Sequence, residues 1–169
     1  MFREVSRDKR QILDRAKCDE ILNKATSGVL NVLGDDDYPY GVPMSFAYRD
    51  NKLFFHCMPT GHKVDAIKNH AKVSFTIIET DNVIPEEYTS YFRSVIVFGK
   101  ARMVEDSEEK IKLHEYLVEK YSPDHMEGCY EIFKDRIAWM GAFIVEIDHV
   151  SGKEAIELAV PGWKLDELK

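Results

Sequence analysis

The chain has 169 residues, 44% of them hydrophobic and 31% charged, proportions that suit a single globular domain over residues 1–169 with a real core. Asp plus Glu outnumber Lys plus Arg by 30 to 23, for a net charge of −7. That balance argues against nucleic acid or an anionic membrane as the main partner, because both need a basic footprint. No apolar run approaches the ~20 residues of a membrane span, and the N-terminus lacks a signal peptide's apolar core, so the expected location is the cytoplasm. Cys18, Cys57 and Cys129 are widely spaced and suggest neither a disulfide framework nor a zinc site. His56 and His62, with Cys57 between, flank a Pro-Gly loop rather than standing at i, i+4 on a helix, so no metal site is expected.

Met1 to Lys17 is polar, with Phe2, Val5, Ile12 and Leu13 as its anchors, and is expected to be an arm on the body or on a partner subunit. Asp19 to Thr26 reads as a short helix, ended by Ser27-Gly28, and Val29 to Leu33 as a strand. Gly34 to Tyr38 is a hairpin loop whose three Asp residues are expected in solvent. Two strands follow, Val42 to Tyr48 and Lys52 to Cys57, parted by Asp50-Asn51. Asp and Asn tolerate left-handed backbone, so this pair makes a two-residue hairpin turn. Alternation puts Met44, Phe46 and Tyr48 on one face and Ser45 and Ala47 on the other. Phe54 and His56 likewise oppose Leu53, Phe55 and Cys57. Pro43, without an N–H, belongs at a strand start, an edge or a bulge.

Pro59 and Gly61 break the second strand, and Thr60 is placed to cap a helix starting near Gly61. The first N–H groups of a helix lack internal partners and favour an anion such as phosphate. Lys63 adds a full charge there and His62 a donor. The strands could hold a flat ring at one end and the helix start a phosphate at the other; the alternative is a surface loop with two solvated basic residues. Ala71 to Thr80 is the next strand, then comes a loop with Pro85, then an apolar strand from Ser94 to Ala101 in which Gly99 marks a bulge or close approach. Asp106 and Glu109 form a capping box for a helix from Ser107 to about Tyr121, with Ile111, His114, Leu117, Val118 and Tyr121 along one face. His114 is expected to be packed rather than a ligand. A short helical piece is expected around Glu127 to Phe133, a last strand from Trp139 to Ile147, and a tail from Gly152. Trp139 and Trp163 are expected in the core or at a dimer contact. About six strands in hairpin order with few helices most readily close into a barrel, which removes exposed edges.

Four features in this order resemble the pyridoxamine 5′-phosphate oxidase-like FMN-binding split-barrel superfamily. They are Val42-Pro43-Met44-Ser45-Phe46-Ala47-Tyr48; Phe54-Phe55-His56 with Gly61-His62-Lys63; Arg93-Ser94-Val95-Ile96-Val97-Phe98-Gly99; and the closing strand into Ser151-Gly152-Lys153. Within it the likeness is nearest the branch related to nitroimidazole-resistance proteins. The resemblance implies a mainly β, six-stranded antiparallel split β-barrel with a few peripheral helices, acting as a homodimer with FMN at the interface. Met44, Ser45 and Phe46 would line the isoalloxazine ring, and Phe55 and His56 would contact the ring or ribityl chain. Gly61, His62 and Lys63 would hold the phosphate, and Ser94, Val95 and Ile96 would complete the pocket. The stretch from Glu157 to Trp163 has no Arg or His, unlike the substrate-gripping tails of pyridoxamine phosphate oxidases proper, which argues against vitamin B6 oxidation.

The reading that follows is an FMN-dependent oxidoreductase acting on a small organic acceptor, a nitro-compound or quinone. His56 is its candidate proton donor, since imidazole titrates near working pH. The alternatives are a module holding flavin or haem without turnover, and the same fold carrying a deazaflavin. No Gly-rich nicotinamide fingerprint is present, so the electron donor is open.

Overall fold

The protein is described by a computed structural model covering residues 2–134 and 136–163. After the N-terminal arm, a short strand β1 (Ile12–Leu13) leads into α1 (Arg15–Lys24). This helix starts earlier than predicted because Asp14 caps it, its carboxylate accepting the Lys17 N–H at 2.8 Å. Then follow β2 (Ser27–Leu33), β3 (Pro39–Ser45), β4 (Ala47–Arg49), β5 (Lys52–Cys57), α2 (His62–Asn69), β6 (Lys72–Ile84) and β7 (Thr89–Met103). The chain continues through α3 (Ser107–Tyr121), α4 (Met126–Lys134), β8 (Gly141–Glu154) and α5 (Ile156–Ala159).

All pairings are antiparallel, in the order β3-β2-β6-β7-β8-β5-β4, with β1 added to β8. Among the described residues this makes eight strands rather than the six predicted; the additions are the short β1 and β4. The outermost strands of that order, β3 and β4, are consecutive in sequence and parted only by Phe46. The sheet therefore curls until its two edges meet at one residue, which is the split of a split barrel. At that point the Phe46 N–H donates to the Tyr121 hydroxyl at 3.0 Å, and the hydroxyl donates to the Thr26 carbonyl at 2.5 Å.

Inside the barrel Phe46 meets Phe75 edge-on at 4.8 Å and Phe55 stacks on Phe143 at 4.6 Å. Outside it, Phe54 and Ala47 form a second apolar patch with Leu113, Leu117 and Ile144. Each buried leucine contributes about 2 kcal/mol to seating α3 there. Strand β5 is thus covered on both faces, which is why Leu53, Phe54 and Phe55 are all buried.

The Asp50-Asn51 turn has both residues at positive φ, 50° and 58°, as a type I′ hairpin requires. Gly99 marks a register shift, and a Cβ there would strike the Glu146 carbonyl. The hairpin is longer than predicted: β6 and β7 continue past the predicted loop to a tight turn at Pro85–Glu87. Pro85 opens that turn, where a missing N–H costs nothing. Strand β8 likewise runs beyond Ile147, pairing Gly152 with Val95 and with Leu13. A side chain at Gly152 would meet Cys18 Sγ at 2.6 Å, so the start of the predicted tail, as far as Glu154, is a packed strand. Residues 164–169 of the predicted C-terminal tail lie outside the described residues. Among the described residues no helix is long and apolar enough to cross a membrane.

Candidate functional site

The residues singled out in the sequence fall into four places. The first is a cavity of about 290 Å³ between the outer side of β5 and helices α3 and α4, with Ser45, His56, His114, Tyr121, Phe133 and Met140 among its walls. Ser45 is the last residue of β3 and His56 lies on β5 opposite Ala142, so period-2 alternation turns both away from the core. His114 comes from α3, where it occupies the apolar stripe with Leu117. The two imidazoles are close to parallel, at 26° and 5.9 Å between centroids. Burial holds His56 below the usual imidazole range. Burial also does so for His114, reinforced by the charge of His56 and opposed by the bond to the Lys110 carbonyl. Both rings are therefore neutral at neutral pH. Burial pushes the neighbouring Cys57 thiol up, so it is no nucleophile.

The second place is the start of α2, reached directly from β5. Gly61 rather than Thr60 holds the cap position, at φ 118° and ψ 169°, a conformation that glycine adopts readily. No side chain caps this end, and the Gly61 carbonyl takes the N–H groups of Val64 and Asp65. The N–H groups of His62 and Lys63 thus have no partner within the helix. Lys63 is half-buried, with no described carboxylate in salt-bridge range. His62 is held sideways: its ring stacks on Tyr40 at 4.2 Å and its Nε2 accepts the Asp35 N–H at 3.2 Å. The acidic side chains of this loop are exposed as expected, while its main chain positions His62. In the neutral ring the N–H that His62 can offer is at Nδ1.

Third, Ser94 and Ile96 point to the outer face of the sheet. One row there runs straight across five strands as Pro43, Val29, Thr76, Ile96 and Ser151. The next row is Gly41, Asn31, Ser74, Phe98 and His149, and Phe2 of the arm stacks on His149 at 4.7 Å. Neither row contains Asp, Glu, Lys or Arg.

The last place is the core. Phe46, Phe55 and Val95 are each 0% exposed, so their side chains cannot touch a ligand ring. Alternation says which residues share a face but not which face is inside. Met44 is half-buried against the same core. Trp139, expected in the core or at a dimer contact, is 79% exposed beside the cavity residue Met140. His114 and Tyr121 were not foreseen at the site. The available signal was a histidine on the apolar stripe of α3, where a polar group needs a reason to be.

The arrangement offers an anion site of backbone N–H groups and an ammonium, joined by one strand–loop–helix connection to an apolar cavity edged by two neutral imidazoles. The profile of the pyridoxamine 5′-phosphate oxidase family matches residues 14–154. The chain belongs to that family. The fold is similar to a conserved hypothetical protein from Mycobacterium tuberculosis, at TM-score 0.79 and 17% identity over 95% of this chain and 97% of that one. It is similar to the FAD and heme binding protein from Mycobacterium smegmatis, at TM-score 0.74 and 19% identity over 94% and 78%. A candidate 5-nitroimidazole antibiotic resistance protein from Bacteroides thetaiotaomicron aligns at TM-score 0.71 and 21% identity over 85% and 86%.

Proposed function

We propose that this protein is an FMN-dependent oxidoreductase that works as a homodimer and reduces a small organic acceptor of the nitro or quinone type. The observation that carries the reading is the uncapped start of α2, with the free N–H groups of His62 and Lys63 and the Lys63 ammonium. Such a site suits the FMN phosphate. Met44, Ser45 and the main chain at Phe46 would wall the ring, with His56 at its edge, while Phe55 and Val95 act from the core by fixing the strands. The two uncharged rows, one of them bearing Ile96 and lying beside Ser94, suit a second subunit, which would bring those residues toward the cofactor. When bound, the flavin supplies the electron transfer. His56 offers an N–H to a substrate oxygen, and Leu117, Val118 and Phe133 keep water from it. The likeness to a protein that binds both FAD and haem supports a second reading, a module that holds such a group without turnover.

Titration with FMN tests the phosphate site. Lys63→Ala should weaken binding by about tenfold or more, the worth of a charge-assisted contact, and unchanged affinity would count against it. His56→Ala should slow turnover with a nitro-compound or quinone and leave FMN bound. Loss of the flavin instead would make His56 a binding group and remove its catalytic role.

A further inference from the structure

His114 stands in the wall of the cavity over β5, and one of its polar atoms is left without a partner by the described residues. His114 is 1% exposed, and its Nε2 has no hydrogen-bond partner among the described residues. Its Nδ1 lies 2.7 Å from the Lys110 carbonyl oxygen. A carbonyl only accepts, so Nδ1 carries the proton, and in the neutral ring Nε2 is then a bare lone pair. Buried polar side-chain atoms without a partner are uncommon in folded proteins, and each invites an explanation.

The surroundings narrow the answer. Leu117, Val118, Phe133 and Met140 make the apolar walls, and Ser45, His56, Tyr121 and Ser122 are the polar side. No Asp or Glu among the described residues lines the cavity, so a cationic amine would enter uncompensated. A carboxylate or a plain ketone has no proton to give and would face the Nε2 lone pair with one of its own. What remains is a neutral donor on a flat apolar body, and about 290 Å³ has room for one small ring system.

We infer that this cavity binds a small neutral aromatic molecule bearing an O–H or N–H, of the phenol or hydroquinone class, with its donor on His114 Nε2 and its ring among Leu117, Val118, Phe133 and Met140. His114 is then a specificity-determining residue: it rewards the hydroxylated ring over the same ring without a donor. The inference concerns binding alone: it names a ligand class for the cavity in which the proposed function places the substrate, and it needs no flavin to be present.

The test compares 4-chlorophenol with 4-chloroanisole, which has the same ring with the hydroxyl proton replaced by methyl. Calorimetric titration of the purified protein should show the phenol binding about tenfold tighter or better. His114→Leu keeps the bulk, loses the lone pair and should erase that preference. In the wild type, the ¹⁵N resonance of His114 Nε2 should move when the phenol is added and stay still with the anisole. That resonance also decides the matter if the leucine variant does not fold. Equal affinities, no binding of either compound, an unmoved Nε2 resonance, or a preference that survives His114→Leu would each overturn the inference. A protein that takes up no flavin but still prefers the phenol through His114 would sink the redox proposal and leave this one standing.

Discussion

Replacing Tyr121 with Phe removes one oxygen from the point where the sheet's two edges meet. That oxygen accepts the Phe46 N–H at 3.0 Å and donates to the Thr26 carbonyl at 2.5 Å. Phe46 is 0% exposed, so its N–H has no ready substitute, and stranding a buried donor costs about 1–3 kcal/mol. Tyr121 is 38% exposed, so water can reach the Thr26 carbonyl, and that lost bond adds little. The expected loss is about 2 kcal/mol, which lowers Tm by roughly 4–8 °C in a domain of this size. Calorimetry reads it directly, and urea unfolding should show a lower midpoint at unchanged slope. A Tm within about 1 °C of wild type would refute the view that this hydroxyl holds the split closed.

Other perturbations have equally definite signs. The lowered values of His56 and His114 mean that the unfolded chain binds more protons just below pH 6.5. Stability should therefore fall as pH drops from 6.5 through the lowered folded values, and His114→Leu should flatten that fall in Tm measured against pH. Burial holds Lys120 at about 8 instead of 10.5, so its charge costs stability at neutral pH, and the cost is relieved as pH rises from about 8 toward 10.5. Lys120→Met should stabilise the fold by about 1 kcal/mol at neutral pH, once solvent screening and the favourable contact with the Phe46 ring are counted. That gain should shrink by about pH 10 in denaturant titrations. Gly99→Ala would drive a Cβ into the Glu146 carbonyl and should cost about 2–3 kcal/mol in urea unfolding; a neutral result would mean that the bulge shifts freely.

What could be read from the sequence was what local chemistry decides. Strand Lys52–Cys57 and helix Ser107–Tyr121 have the predicted bounds because a positive-φ turn and an Asp106 cap set them. The helix start at Gly61–Lys63 was legible for the same reason, although Gly61 and not Thr60 holds the cap. The break at Phe46 was not, because nothing in Ser45-Phe46-Ala47 differs from a continuous strand; the interruption comes from Tyr121, far along the chain. The pairing of His56 with His114 is likewise tertiary, since it depends on Leu113 and Leu117 docking α3 over β5. For Phe46, Phe55 and Val95 local chemistry does not decide the side, because aromatic and apolar residues suit a ring and a core equally well. Only the curl of the sheet decides which face is inside.

The central claim is a flavin held by Lys63 and the α2 N–H groups, with its ring beside His56. The most direct measurement is a visible absorption spectrum of the protein purified without added cofactor, followed by mass analysis of what heat releases and by FMN titration. The account predicts a flavin spectrum with FMN in the supernatant, or stoichiometric uptake of FMN by the colourless protein. A Soret band would shift the assignment to the haem-holding alternative. A colourless protein that also fails to take up FMN would contradict the account.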